Sequence, residues 1–342
     1  MSMPVKRISD NGILSDSRSC RPLLSLTPTH ISISMPRTMK RLLEVKNVFK
    51  SFGDKEVLKD ISFKVESGKA MGFLGRNGSG KTTTIRCIMD IFKPNSGEIF
   101  LDGKKFDPKK NKVGYLPEER GMYAKEIILD QLIYFAKLKG ASYSQAKESA
   151  KYWLNRFGLS EYENKKLETL SKGNQQKVQI IQAFLHNPDI IILDEPFSGL
   201  DPVNAELFKG AIRDSIKDGK LVVFSSHQMG YVEEFCDDIT LIHEGRVMLS
   251  ENLEELKERL GFGKFRLESK NFTNDELRVV LLEKFKDLNI ESDNKSLIIS
   301  LDKVSEKEFL EYLLSEDVRI KVFSIYTPSL QDIFIMEVGK NE

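Results

Sequence analysis

A glycine-rich loop with a lysine and a threonine is the part of the sequence best suited to bind phosphate. From Gly75 to Thr82, glycines occupy the first, fourth and sixth positions, and lysine and threonine occupy the last two. Glycines let the backbone curl so that its N–H groups face a phosphate chain. Lys81 can place a positive charge at the outer phosphates, and the Thr82 hydroxyl can bind Mg²⁺. The residues predicted to contact the phosphates are Gly75, Arg76, Asn77, Gly78, Ser79, Gly80, Lys81, Thr82 and Thr83.

The flanking residues supply the context that such a loop requires. Residues 70–74 are apolar and predict a buried strand, whereas residues 83–89 predict a helix. The positive end of that helix dipole would point at the phosphates. The alternative is an ordinary glycine-rich turn, and it is disfavoured because a chance match in a chain of this length is expected about once in a hundred.

Two carboxylates follow a second predicted strand. Residues 190–193 are wholly aliphatic, and Asp194 and Glu195 come directly after them. Asp194 at the carboxyl end of a buried strand can hold the Mg²⁺ that bridges the phosphates of a nucleotide. Glu195 can act as a general base or orient the attacking water. Two solvated acids in a loop are the alternative, which the aliphatic run before them disfavours.

Polar residues also mark the ends of three further predicted elements. Ser171, Gly173 and Asn174 precede a predicted helix, where Ser171 alone would be an ordinary N-cap. Asp201 follows the two carboxylates after a short glycine-containing segment, and His227 ends the next predicted strand. Each of these signals is weak when it is considered alone.

Taken in this order, the elements resemble the motifs of ATP-binding-cassette (ABC) ATPases. The segment 170–175 resembles the signature sequence of that family, 198–201 resembles its D-loop, and 225–227 resembles its switch histidine. Phe52 stands where the family has an aromatic residue that stacks on adenine. The resemblance covers about residues 42–250 and predicts ATP and Mg²⁺ as cofactors.

The resemblance implies a head-to-tail dimer, formed as a homodimer or with another ATPase subunit, that holds two ATP molecules between its subunits. Ser171, Gly173 and Asn174 of one subunit would then face the phosphate loop of the other. Asp201 would organise the dimer contact. His227 would contact the γ-phosphate and link it to the general base.

The motifs depart from the usual family pattern at three positions. Lys172 stands where the signature usually has a glycine, and Asn174 replaces its glutamine. Glu118 takes the place of the Q-loop glutamine, where a carboxylate could still meet Mg²⁺ or water. These variants are similar to the ATPase subunits of bacterial ABC-2-type exporters, notably the sodium-extrusion group.

The predicted fold class is α/β: a P-loop NTPase (RecA-like) core with an antiparallel β subdomain and a helical subdomain, plus a small C-terminal α+β domain. The ATPase domain is predicted at 42–250, with its helical subdomain at about 118–185. The accessory domain at 262–342 would be regulatory or dimer-stabilising, or only a packing appendage. Residues 1–41 predict a disordered extension or sequence upstream of a natural start at Met39, with a transit peptide as an alternative.

Composition limits the other function classes. The chain has 342 residues with a net charge of +1, which predicts no nucleic-acid partner. Its three cysteines are far apart and predict neither a disulfide framework nor a zinc site. No apolar run approaches the length of a membrane span. The resemblance therefore implies a peripheral protein on the cytoplasmic face of the cell membrane, bound to a separate integral membrane permease.

Two other readings of the sequence stay open. One is a soluble ABC ATPase that acts on ribosomes or DNA, and the other is a nucleotide-dependent regulator without turnover. The soluble ATPase is disfavoured by a single cassette, a near-zero net charge and the lack of a long heptad array in the sequence. The regulator without turnover is disfavoured by the presence of Lys81, Asp194, Glu195 and His227. The exported substrate cannot be inferred, because in this family the membrane partner selects it.

Overall fold

The computed structural model of the protein describes residues 40–119, 121–293, 296–302 and 304–339. Apart from residues 40 and 41, the extension predicted at residues 1–41 lies outside the described residues. Among the described residues, no helix is both long and apolar enough to cross a bilayer.

Strands and helices alternate along much of the described chain. The strands are β1 (Leu42–Phe52), β2 (Lys55–Glu66), β3 (Ala70–Leu74), β4 (Ser96–Leu101), β5 (Lys104–Lys105), β6 (Val113–Leu116), β7 (Ile190–Asp194), β8 (Leu221–Ser226), β9 (Asp238–His243), β10 (Arg246–Asn252), β11 (Lys264–Ser269), β12 (Asn289–Ser292), β13 (Leu297–Ser300) and β14 (Ile320–Ile325). The helices are α1 (Lys81–Ile88), α2 (Ile128–Leu138), α3 (Tyr143–Arg156), α4 (Lys172–Phe184), α5 (Pro202–Lys217), α6 (Met229–Phe235), α7 (Leu253–Gly261), α8 (Asn274–Lys284), α9 (Glu306–Ser315) and α10 (Leu330–Gly339).

A six-stranded sheet in the order β10-β9-β3-β8-β7-β6 positions the residues that are predicted to bind phosphate and Mg²⁺. Its neighbouring strands run parallel except for β10 against β9. Every residue of β3, β7 and β8 is buried, which explains why these segments are almost wholly apolar. Asp194 pairs with Ser225, and Leu74 pairs with Ser226. The phosphate loop, the two carboxylates and His227 therefore leave the sheet at the same edge.

A second, antiparallel sheet has the order β2-β1-β4-β5. The strands predicted at 42–50, 57–65 and 98–101 are confirmed as β1, β2 and β4, each extended by one to three residues at its ends. Between β4 and β5, Asp102 and Gly103 both have positive φ, at 54° and 74°. That backbone is typical of a two-residue hairpin turn, so the hairpin predicted there is also confirmed.

The prediction of helix over about residues 124–168 is confirmed for α2 and α3 but is wrong for residues 124–127 and for the segment after α3. Gly140 and Gly158 adopt positive φ, at 91° and 66°, and end α2 and α3 respectively. The chain between α3 and α4 then forms turns, with two short 3₁₀ segments at Ser160–Tyr162 and Leu167–Thr169. Buried Leu159 and Leu167 fix this irregular segment to the core, a contact that helical periodicity cannot reveal.

The C-terminal residues form an antiparallel sheet in the order β12-β13-β11-β14 with a core of its own. The strands and helix predicted there are confirmed as β13, β14 and α9. The last helix, α10, behaves differently and packs against α6 of the main core. Leu330, Ile333 and Phe334 of α10 are buried in the same hydrophobic cluster as Val232 and Phe235 of α6.

Candidate functional site

A cleft of about 660 Å³ opens at the edge of the central sheet where the phosphate loop, Asp194 and Glu195 emerge. It is lined by Lys55, Glu56, Val57, Lys59, Asn77, Gly78, Gly80, Lys81, Thr82, Thr83, Glu118, Glu195 and Glu244. The cleft thus brings together eight of the residues that the sequence predicts for the site: Asn77, Gly78, Gly80, Lys81, Thr82, Thr83, Glu118 and Glu195.

The phosphate loop needs its glycines for both conformation and space. Gly75 and Gly80 have φ of 157° and 112°. A Cβ on Gly75 would lie 2.4 Å from the Ile242 carbonyl oxygen, and one on Gly80 would lie 2.8 Å from Leu58 Cδ2. Helix α1 begins at Lys81, directly after the loop, and has no acidic residue in its first turn. Its free N–H groups and positive dipole end therefore face the cleft and suit an anionic ligand.

The Lys81 ammonium lies on the floor of the cleft and is only 6% exposed. Its Nζ donates hydrogen bonds to the carbonyl oxygens of Gly75 at 2.7 Å and Arg76 at 3.3 Å. It also lies 3.8 Å from Glu195 Oε1. Burial lowers the pKa of Lys81, and the negative charges of Glu195 and Asp194 oppose that shift. The loop carbonyls and two carboxylates thus hold a positive charge where outer phosphates would bind.

Asp194 offers one carboxylate oxygen that suits a cation. Its Oδ1 accepts hydrogen bonds from the hydroxyls of Ser225 at 2.5 Å and Thr82 at 3.3 Å. Its Oδ2 is buried without a hydrogen-bond partner. Burial raises the pKa of Asp194, whereas the two hydroxyls oppose that shift. Glu118 Oε2 lies 3.5 Å from Thr82 Oγ1, so three oxygen-bearing side chains converge. Such a hard-oxygen set fits Mg²⁺.

Glu195 turns back into the cleft because its backbone is left-handed, with φ of 48°. In a regular strand, consecutive side chains point to opposite faces, so Asp194 and Glu195 would diverge. Glu195 Oε2 instead lies 2.9 Å from Nδ1 of His227 and accepts a longer hydrogen bond, at 3.4 Å, from the His227 backbone N–H. Its Oε1 is buried beside Lys81 without a hydrogen-bond partner. This geometry suits a carboxylate that accepts a proton from water.

Comparison with known proteins places the chain in a family. Residues 58–198 match the family model described as "ABC transporter", and residues 252–338 match "ATP-binding protein DrrA1-3-like, C-terminal domain". The uncharacterized ABC transporter ATP-binding protein YhaQ of Bacillus subtilis is 41% identical over 303 residues, which is 87% of this chain and 99% of that protein. The chain belongs to the ABC transporter ATP-binding proteins.

Two further similarities extend the comparison. The linearmycin resistance ATP-binding protein LnrL of Bacillus subtilis is 33% identical over 224 residues, or 64% of this chain and 72% of that protein. A dimeric post-hydrolysis state of the ATP-binding cassette MJ0796, bound to ADP and Pi, is 27% identical with a TM-score of 0.56. The match covers 62% of this chain and 98% of the MJ0796 chain. This ABC ATPase subunit thus binds and hydrolyses ATP to drive transport, and the predicted fold class is confirmed.

Other predicted residues of the ABC subunit do not line the cleft. Ser171 caps α4, accepting the Asn174 backbone N–H at 3.3 Å, and Gly173 is the second residue of that helix. Asp201 caps α5 through a 2.9 Å hydrogen bond from the Asn204 backbone N–H. The structure therefore gives these residues no contact with the phosphate loop of their own chain.

Phe52 also stands outside the cleft lining. It ends β1 just before Lys55, Glu56 and Val57, which do line the cleft. Its ring is 45% exposed and meets Phe92 edge-on at 5.1 Å between ring centroids. Lys50 Nζ also lies over this ring, 5.0 Å from its centroid. Adenine stacking on Phe52 stays a prediction.

Sequence reasoning missed the contribution of Ser225 to this ABC site. The resemblance of residues 225–227 to a family motif assigns a role to His227 but none to Ser225. The contacts of Ser225 depend on the pairing of β7 with β8. The sequence signal for them is a hydroxyl residue directly after the wholly apolar run 221–224.

Proposed function

We propose that the chain is the ATP-hydrolysing subunit of an ABC exporter, bound as a dimer to a separate permease at the cytoplasmic face of the membrane. The observation that carries this proposal is a cleft lined by Lys81 and Glu195 whose lining residues are in turn contacted by two further groups. His227 lies against Glu195, and Asp194 accepts a hydrogen bond from Thr82. A regulator without turnover would have no need of a positioned base, and a net charge of +1 offers little attraction for nucleic acid.

The contacts support a division of roles during hydrolysis. Lys81 and the N–H groups of the loop would hold the outer phosphates of ATP. Thr82 and Asp194 would hold Mg²⁺, which supplies charge neutralisation between the phosphates when bound. Glu195 would accept a proton from the attacking water, and His227 would keep the Glu195 carboxylate oriented through Oε2.

The position of the signature segment supports a dimer. Ser171 and Gly173 lie at the start of α4, which has no acidic residue in its first turn and no contact with the cleft of its own chain. A helix N-terminus of this kind suits a γ-phosphate supplied from another subunit. ATP would then bind the closed dimer better than the open one, and hydrolysis would remove that preference.

A groove between the central sheet and the helical segment supports the permease contact. The groove measures about 270 Å³ and is lined by Met89, Val113, Tyr115, Pro117, Gly121, Phe135, Leu138, Lys139, Gln179, Gln182 and His186. Tyr123, Tyr134 and Leu138 are at least half exposed on α2 or just before it. Such a mixed apolar groove suits a short cytoplasmic helix of a membrane partner. The export direction is supported by LnrL, whose name assigns it to linearmycin resistance.

Replacing the proposed base gives the most direct test. Glu195→Gln keeps the shape of the side chain but cannot accept the proton, so hydrolysis should fall by about 10²–10⁴-fold. ATP should still bind, and the variant should accumulate as an ATP-bound dimer that light scattering detects. Glu148→Gln, an exposed change on α3, is the matched control. Near-normal turnover by Glu195→Gln would contradict the role given to Glu195.

A further inference from the structure

Ser225 connects the two carboxylates of the site. Its side chain is fully buried at the end of β8, and the register of the sheet pairs it with Asp194. The hydroxyl donates to Asp194 Oδ1 at 2.5 Å and accepts the backbone N–H of Glu195 at 3.0 Å. One buried hydroxyl therefore contacts both residues at once.

The contact with Asp194 determines which oxygen remains available. Ser225 and Thr82 both donate to Oδ1, so Oδ2 is left buried without a hydrogen-bond partner. A buried carboxylate oxygen without a partner is costly unless a cation or a donor satisfies it. Ser225 thus favours the orientation in which Oδ2 can bind a metal ion.

The contact with Glu195 stabilises an unusual backbone. A non-glycine residue with φ of 48° is uncommon and is retained only where its surroundings hold it. The Ser225 hydroxyl satisfies the backbone N–H of Glu195 in this conformation. The same conformation carries the Glu195 side chain to Lys81 and His227. Without the hydroxyl, this buried N–H would lose its partner and the turn would lose part of its support.

We propose that Ser225 is a positioning residue for ATP hydrolysis, which sets Asp194 for the metal ion and Glu195 for water. The proposal rests on the roles given above to Asp194 and Glu195. A positioning role requires the hydroxyl group of Ser225 for ATP hydrolysis. A packing role would require only a side chain of similar volume.

Three variants test the proposal on the full-length chain. Ser225→Ala removes the hydroxyl with little change in volume, and Ser225→Thr restores it. Ser215→Ala is the matched control, because Ser215 is also buried but its hydroxyl donates to the Ala211 carbonyl within α5. Thermal unfolding of each variant identifies any general loss of stability.

Steady-state kinetics should separate positioning from substrate binding. Ser225→Ala should lower kcat about 10- to 100-fold, the kinetic equivalent of one lost hydrogen bond to a charged group. KM for ATP should change by less than about 2-fold, since the phosphate loop is intact. Ser225→Thr should recover most of kcat. A kcat of Ser225→Ala within 2-fold of that of Ser215→Ala would overturn the proposal.

A binding measurement provides a readout that does not depend on turnover. A fluorescent ATP analogue is titrated at increasing Mg²⁺, and Ser225→Ala should need several-fold more Mg²⁺ for half-maximal binding. An unchanged Mg²⁺ requirement would overturn the role toward Asp194. Glu195→Gln in the same assays separates the two proposals: if it hydrolyses ATP normally, the base assignment fails, whereas if only Ser225→Ala is normal, the positioning role alone fails.

Discussion

At the scale of single residues, Lys81 shows how the fold stabilises a buried charge for a ligand. Its ammonium is buried between two loop carbonyls and the Glu195 carboxylate, and burial lowers its pKa. A phosphate chain would add charge-assisted hydrogen bonds that are shorter and about twice as strong as neutral ones. Burial of the Lys81 ammonium costs free energy, and the same burial makes the charge effective in binding phosphate.

Lys81→Ala should abolish most nucleotide binding without unfolding the chain. The variant loses the charge-assisted contact to the outer phosphates, so affinity for a fluorescent ATP analogue should fall at least about 100-fold, as for loss of roughly 3 kcal/mol. Lys217→Ala, an exposed change on α5, serves as the control. An unchanged affinity of Lys81→Ala in the titration would show that the phosphate loop is wrongly assigned.

The sequence identified most residues of the cleft because their chemistry is tied to local patterns. Glycine spacing predicts the phosphate loop, and an aliphatic run followed by acids predicts Asp194 and Glu195. Glu195 has a left-handed backbone that Ser225 supports, and neither feature is encoded locally. Both depend on the pairing of Asp194 with Ser225, which lies 31 positions away along the chain. Periodicity carries no information about such a pair.

At the scale of elements, α10 connects the end of the described chain to the helix that follows His227. Helix α6 begins two residues after His227, and α10 packs against it. Sequence patterns predicted the strands and helix of the C-terminal region because their local periodicity is clear. They could not show that the last helix belongs to the main hydrophobic cluster, because the contact lies about 100 residues away along the chain.

A pair of isoleucines on α10 tests whether this helix contributes to the stability of the ATPase core. Ile333 is 1% exposed in the main cluster, whereas Ile335 is 61% exposed on the same helix. Ile333→Ala should lower the free energy of unfolding by about 2–5 kcal/mol, and Ile335→Ala should change it by less than about 0.5 kcal/mol. Urea unfolding measures the free energy of unfolding of each variant. Binding of an ATP analogue to the folded variants, measured separately, shows the effect on the nucleotide site. Equal stability of the two variants would contradict the contribution of α10 to the core.

At the scale of the whole molecule, the cleft of one chain is lined by Lys81 and Glu195 but not by Ser171 or Gly173. Ser171→Arg and Lys81→Ala subunits should therefore complement each other when they are mixed. One site of each mixed dimer then carries both lesions, while the other has an intact loop and an intact signature. ATPase activity of the mixture should exceed the sum of the two separate variants.

A second mixture controls for this complementation. Lys81 and Glu195 line the same cleft, so Lys81→Ala mixed with Glu195→Gln restores no site and should regain no activity. Co-purification in ATP through a tag carried by only one of the two variants shows whether mixed dimers form. Mixed dimers of the Ser171→Arg and Lys81→Ala subunits that show no recovery would contradict two independent sites shared across the interface.

The contact with a membrane partner belongs to the same scale, because closure of the dimer would move the helical segment and whatever is bound in its groove. Tyr123→Glu or Leu138→Glu places a charge beside that groove, where burial of an unpaired charge against a partner helix costs several kcal/mol. Each change should leave hydrolysis by the purified chain within about 2-fold and weaken recovery with the membrane fraction after cross-linking at least about 10-fold. Tyr152→Glu is the control, since Tyr152 is as exposed as Tyr123 but lies on α3. Leu138 lines the groove and Tyr123 stacks on Phe135 of its lining, whereas Tyr152 does neither. Recovery of the unsubstituted chain wholly in the ribosomal or nucleoid fraction, with no integral membrane partner cross-linked, would favour the soluble ATPase over the exporter.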